Sequence, residues 1–239
     1  MRKDHTDRPV IIVGCARSGT SLVAGVINIC GAWKGDTVGP SKHNAKGMFE
    51  NHALRENIIK PLLFSIGADR KGQFPLPETK NIIIPHDLKE AVIKEIKKQG
   101  WKEETPWMWK CAKMALTWPC WKYAFPDSKW IIVRRKTPDI INSCMQTGFM
   151  SAYALPRVQR QAKVDNEYDG WLQWVHKHEE KFYEIVQSGA NVKMVYPERM
   201  VNSDYGQMRE TIEWLGLEWK SKEIMNFVEP KLWKARQNK

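Results

Sequence analysis

Between the apolar run Pro9–Val13 and a helix-like stretch lies the segment Gly14-Cys15-Ala16-Arg17-Ser18-Gly19-Thr20-Ser21. Its two glycines have the spacing of a phosphate-binding loop, GxxxxGK[ST]. Glycines at these places let backbone N–H groups converge on anionic oxygens, and the positive end of the following helix adds to the attraction. The lysine of that pattern is missing: Thr20 stands in its place, and the nearest cation, Arg17, lies inside the loop. Such a loop can cradle an anion without the usual lysine contact to a terminal phosphate. A plainer reading is that Ser18 to Ser21 only cap the helix, which serine and threonine do well.

A second basic cluster follows the apolar run Trp130–Val133, which ends in Arg134-Arg135, with Ser143 eight residues beyond Arg135. A guanidinium binds phosphate as a bidentate fork. Ser143 falls on the first turns of the next helix and can donate to the same anion. The alternative is a surface arginine paired with Asp139. Two anion sites at the ends of two strands suggest one ligand with phosphates at separate positions.

The elements that must carry these residues alternate between short apolar runs and longer amphipathic stretches. Val10–Val13, 106–110, 129–134 and 192–196 read as strands. The first is β-branched throughout, as a strand buried on both faces should be. Helical spacing covers 19–31, 51–66, 87–99, 138–148, 168–187 and 203–216, the last closed by Gly216 as a C-cap. Residues 34–50 read as a loop, 67–86 as a proline-punctuated insertion and 151–167 as irregular. Strands alternating with helices imply an α/β fold: one domain over 1–239, with a central parallel sheet flanked by helices, P-loop NTPase-like.

On these motifs the sequence resembles the PAPS-dependent sulfotransferases, whose donor is 3'-phosphoadenosine 5'-phosphosulfate. Members carry a strand, then [KR]-S-G-T-[TS], then a helix; here this is Arg17-Ser18-Gly19-Thr20-Ser21. They also carry a strand ending in Arg with Ser eight residues later, here Arg135 and Ser143. Lys46-Gly47-Met48-Phe49-Glu50-Asn51 is similar to the NPKGxxEN stretch of bacterial-type and tyrosylprotein members, and Trp109-Lys110-Cys111-Ala112-Lys113 to their W-x-K-D-P-R segment. The likeness runs from residue 9 to about 233. It departs at Leu22, where many cytosolic members have a tryptophan, and at Cys111 and Ala112, where an aspartate and a proline are usual. No RKG triplet appears near the end of the chain.

The resemblance implies transfer of a sulfuryl group from PAPS to an acceptor hydroxyl or amine, releasing PAP, with no metal required. It implies that the Arg17 loop holds the 5'-phosphosulfate and that Arg135 and Ser143 bind the 3'-phosphate. Lys110 is a second cation for the leaving oxygen, and Tyr196 approaches the adenine. The protein must align donor and acceptor and neutralise charge on the leaving oxygen, and a base should take the acceptor proton. Glu50 is the expected base, with His52 and His43 as competitors. Each assignment has a plainer counterpart: a helix N-terminal carboxylate for Glu50, a snorkelling lysine for Lys110, and a core tyrosine for Tyr196. Trp107 and Trp109 are candidates to line an acceptor cleft, whereas His176 and His178, two apart on a helix, read as solvated.

Composition narrows the classes further. The chain has 38 basic and 27 acidic residues, a net charge of +11, which favours an anionic ligand. The charge shows no RRM, zinc-finger or helix-turn-helix signature, so nucleic acid is not the expected partner. No apolar run approaches the ~20 residues of a membrane span. Five scattered cysteines, without CxxC or zinc spacing, read as buried reduced thiols of a cytoplasmic protein. The acceptor, whether small molecule, carbohydrate or peptide, would meet the insertions around 67–86 and 151–167. The competing readings are a P-loop-type kinase, disfavoured by the missing lysine, and an inactive relative that binds nucleotide only.

Overall fold

The computed structural model describes residues 4–41 and 44–233. Four strands form a parallel sheet: β1 (Val10–Gly14), β2 (Met108–Lys110), β3 (Lys129–Val133) and β4 (Asn191–Val195), in the order β2-β1-β3-β4. In register, Val10 pairs with both Met108 and Lys129, and Val133 pairs with Gly14 and Val195. Side chains alternate across β1: Ile11 and Val13 enter one core, Val10 and Ile12 the other. Both faces are therefore apolar, which is why the strand reads as an unbroken hydrophobic run.

The helices are α1 (Thr20–Ile29), α2 (His52–Leu54), α3 (Lys60–Ser65), α4 (Leu88–Lys98), α5 (Trp118–Ala124), α6 (Thr137–Met145), α7 (Pro156–Ala162), α8 (Glu167–Gln187), α9 (Pro197–Val201), α10 (Gly206–Leu215) and α11 (Ser221–Phe227). A π-helical turn, Arg55–Ile59, joins α2 to α3. One face of the sheet packs on α1, α10 and α11 through Val23, Val26, Ile27, Met208, Ile212 and Ile224. The other carries the larger core, in which Trp101, Trp107, Trp109, Trp121, Trp130, Trp171 and Trp174 are buried.

Two expectations change here. The stretch 151–167 is largely ordered, with a turn at Ala152–Ala154 and helix α7 opened by Pro156. Proline suits a first helical turn, and Lys163 closes the helix in the left-handed region at φ 57°. Trp107 and Trp109 are fully buried beneath the sheet and line no cleft, because each indole is enclosed by other aromatic rings of the larger core. No helix of the described residues is long and apolar enough to cross a membrane.

Candidate active site

Because all strands run the same way, the chain leaves Gly14, Lys110, Val133 and Val195 along one edge of the sheet. Ligands in open α/β sheets gather at this edge. After Gly14 the loop turns sharply: Arg17 has φ 72°, and Gly19 has φ 94° and forms the N-cap of α1. A left-handed arginine costs about 1–2 kcal/mol, a cost the surrounding structure must offset. Gly14 admits no side chain, since a Cβ there would lie 2.7 Å from the Val133 carbonyl and 2.8 Å from Ser18 Oγ. No side chain caps α1. The side-chain capping reading of Ser18–Ser21 therefore fails; the Leu22 amide bonds the Gly19 carbonyl at 3.0 Å, and the Thr20 and Ser21 amides are the ones at the helix start that a ligand could meet. Ser18 itself is buried below the loop and does not reach the cavity wall. Ser21 Oγ ties the loop to a neighbour, donating to the Met48 carbonyl at 3.1 Å.

The second basic cluster meets the first. Arg17 Nε donates to Ser143 Oγ at 2.9 Å, and Arg135 Nη1 donates to the Arg17 carbonyl at 3.0 Å. The Arg135–Asp139 pair is present at 3.9 Å, but both side chains are buried rather than on the surface. Burial lowers the affinity of both guanidinium groups for their protons; at Arg135 the Asp139 charge partly offsets this, and the charge of Arg17 adds to the lowering. An anion between them would relieve both effects.

Lys110, at the end of β2, is buried against Glu50, with Nζ 3.0 Å from Glu50 Oε1 and 3.0 Å from the Met48 carbonyl. Arg55 Nη1 lies 3.4 Å from Glu50 Oε2. Burial alone would raise the Glu50 carboxyl. The charges of Lys110 and Lys113, the Lys110 hydrogen bond and the charge of Arg55 outweigh it and hold the carboxyl at about 2. Glu50 is thus a carboxylate at any physiological pH, clamped by cations.

A cavity of about 540 Å³ joins these groups: Arg17, Gly19, Thr20, Ser21, Glu50, Lys110, Arg135 and Ser143 all line it. Tyr196 does not; it follows β4, 45% exposed, outside the cavity wall. His52 is exposed and also outside it, and His43 lies outside the described residues. The reading of His178 as solvated is corrected. His176 is exposed, but His178 is buried and lines the cavity, because it follows Trp174 by one helical turn on the inward face of α8. That relation to Trp174 and Phe182 was the available signal. Trp233 also lines the cavity, its ring 4.3 Å from the Arg135 guanidinium, and nothing local in the sequence marks it.

One solved structure of similar fold and one family model agree with this architecture. Among solved structures, the sulfotransferase STF1 from Mycobacterium tuberculosis H37Rv matches with a TM-score of 0.54 at 13% identity, covering 92% of this chain and 70% of that one. The sulfotransferase STF9 from Mycobacterium avium matches with a TM-score of 0.49 at 13% identity and 92% coverage, and this chain spans 66% of its length. No curated protein matches the chain. The Sulfotransferase family model matches residues 9–221, most of the chain and every strand-end segment described above. The chain belongs to the sulfotransferase family.

Proposed function

We propose that the chain binds 3'-phosphoadenosine 5'-phosphosulfate across the Arg17 loop and the Arg135–Ser143 cluster, and transfers its sulfuryl group to a hydroxyl or amine of a small-molecule, carbohydrate or peptide acceptor. One observation carries this reading: two basic strand ends, 118 residues apart in sequence, are joined by the Arg135–Arg17 and Arg17–Ser143 hydrogen bonds on one cavity wall. The donor set fits a doubly phosphorylated nucleotide: two buried guanidiniums, a lysine and an uncapped helix N-terminus.

When bound, the donor supplies a sulfuryl group on a phosphate oxygen. The chain's own residues then divide the work. Arg17, the loop amides and Lys110 meet charge at the leaving oxygen, while Arg135 and Ser143 hold the second phosphate. Glu50 holds the Lys110 ammonium in place through their 3.0 Å contact. A carboxylate held at about 2 is a weak general base. It can take the acceptor proton only as Lys110 turns its charge toward the leaving group. The five buried free thiols are compatible with a reducing, cytoplasmic setting.

The test is transfer of radiolabelled sulfate from PAPS into pools of hydroxyl and amine acceptors, beside a thermal-shift titration with PAP. A rise in Tm with PAP and label in an acceptor are expected. Stabilisation by ADP but not PAP would replace this reading with the kinase one.

A further inference from the structure

His178, on α8, lines the same cavity. Its Nδ1 is 2.8 Å from the Trp174 carbonyl oxygen. A carbonyl oxygen only accepts, so Nδ1 carries the ring proton. Burial lowers the proton affinity of the ring to about 4, against the Trp174 bond and aided by the charge of Lys181, so the second nitrogen is bare at neutral pH. With Nδ1 turned back onto its own helix, the edge bearing Nε2 is the one left to face the cavity. No described residue donates to Nε2, which leaves it as a cavity-side acceptor that a ligand can engage.

The neighbourhood describes what that ligand carries. The Trp174 ring is 4.0 Å from His178, and Phe149 and Met150 complete an apolar wall. Trp174 Nε1 donates to the Gly72 carbonyl at 2.9 Å. Gly72 sits against Lys113, whose charge acts on Glu50, so this end of the cavity adjoins the Glu50–Lys110 pair. Resting on the sulfotransferase reading above, we propose that His178 Nε2 accepts a hydrogen bond from the acceptor substrate, and that this substrate presents a hydroxyl on a flat apolar body lying against Trp174. His178 then selects hydroxyl acceptors over ethers of the same shape.

Phenol and anisole test this directly, since they share a ring but only phenol has an O–H. In protein labelled with ¹⁵N-histidine, the His178 signals are those lost in His178→Gln. Phenol is expected to move the Nε2 resonance saturably toward a hydrogen-bonded position, and anisole to leave it in place. No movement with phenol, or equal movement with anisole, would overturn the proposal. A PAP titration of the same sample separates the two ideas. PAP binding without a phenol response sinks only the role of His178, whereas absence of PAP binding sinks the donor reading.

Discussion

Glu50 and Lys110 face one another with 9% and 5% of their side chains exposed, and neither charge could stand there alone. Glu50→Gln should therefore lower turnover about a hundredfold, the low end of what a general base contributes. PAP affinity, which the proposal assigns to the arginine cluster, should stay within twofold by calorimetry. The same pair has an acid signature. The folded carboxyl lies near 2 against an ordinary 4.5, so its stabilisation is complete above pH 4.5 and disappears as pH falls toward 2. Thermal melts between pH 5 and 2 should show a steeper loss of Tm in the wild type than in Glu50→Gln. Arg17, Lys110 and Arg135 were legible in the sequence because each sits at a strand end, and Ser143 and Glu50 through the spacing and the motif around them. The Arg17–Ser143 bond was not, since it spans 126 residues. His178 was misjudged by comparison with His176, when its turn-neighbours Trp174 and Phe182 decide its burial.

Helix α8 shows how an element constrains the site. Gly170 lies against Tyr153, and a Cβ there would stand 2.3 Å from the ring. Alanine gains up to ~1 kcal/mol of helix propensity over glycine, but overpacking costs about 1–3 kcal/mol, so the clash prevails. Gly170→Ala should lower Tm by a few degrees, at about 2–4 °C per kcal/mol for a chain of this size. PAP affinity should not change, because Tyr153 lies outside the cavity wall. Long periodic elements such as α8, α4 and α10 were readable to within a residue or a few. The short helices α5, α9 and α11 were not. Trp118–Ala124, for example, is mostly apolar or aromatic and shows no contrast between faces. Its helicity comes from packing Cys120 and Trp121 into the core rather than from local pattern.

At the scale of the molecule, a net charge of +11 is focused where parallel strands end, and nine of the 38 basic residues line one cavity against two carboxylates, Glu50 and Glu229: Arg17, Lys46, Arg55, Lys60, Lys71, Lys110, Lys113, Arg135 and Lys231. A dianionic or more highly charged ligand should feel that field, and salt should weaken it, since the screening length shrinks from about 10 Å at 0.1 M to about 3 Å at 1 M ionic strength. PAP affinity is expected to fall severalfold between 0.05 and 0.5 M salt, measured by calorimetry, with buried contacts retaining the remainder. The fold class was visible because strand and helix patterns alternate, and the family motifs sit at the strand ends. The cavity's inner wall was not visible, because it is assembled from α6, α8 and the 67–86 insertion, which meet only in the folded chain.

Calorimetric titration of PAP into the wild type and Arg135→Ala bears most directly on the claim that two basic strand ends grip one nucleotide. Saturable 1:1 binding is expected, tighter for PAP than for ADP. Loss of a charge-assisted contact worth about 1.5–3 kcal/mol should weaken the variant by roughly 10- to 100-fold. No heat from PAP with the wild type, or equal affinity in the variant, would contradict the account.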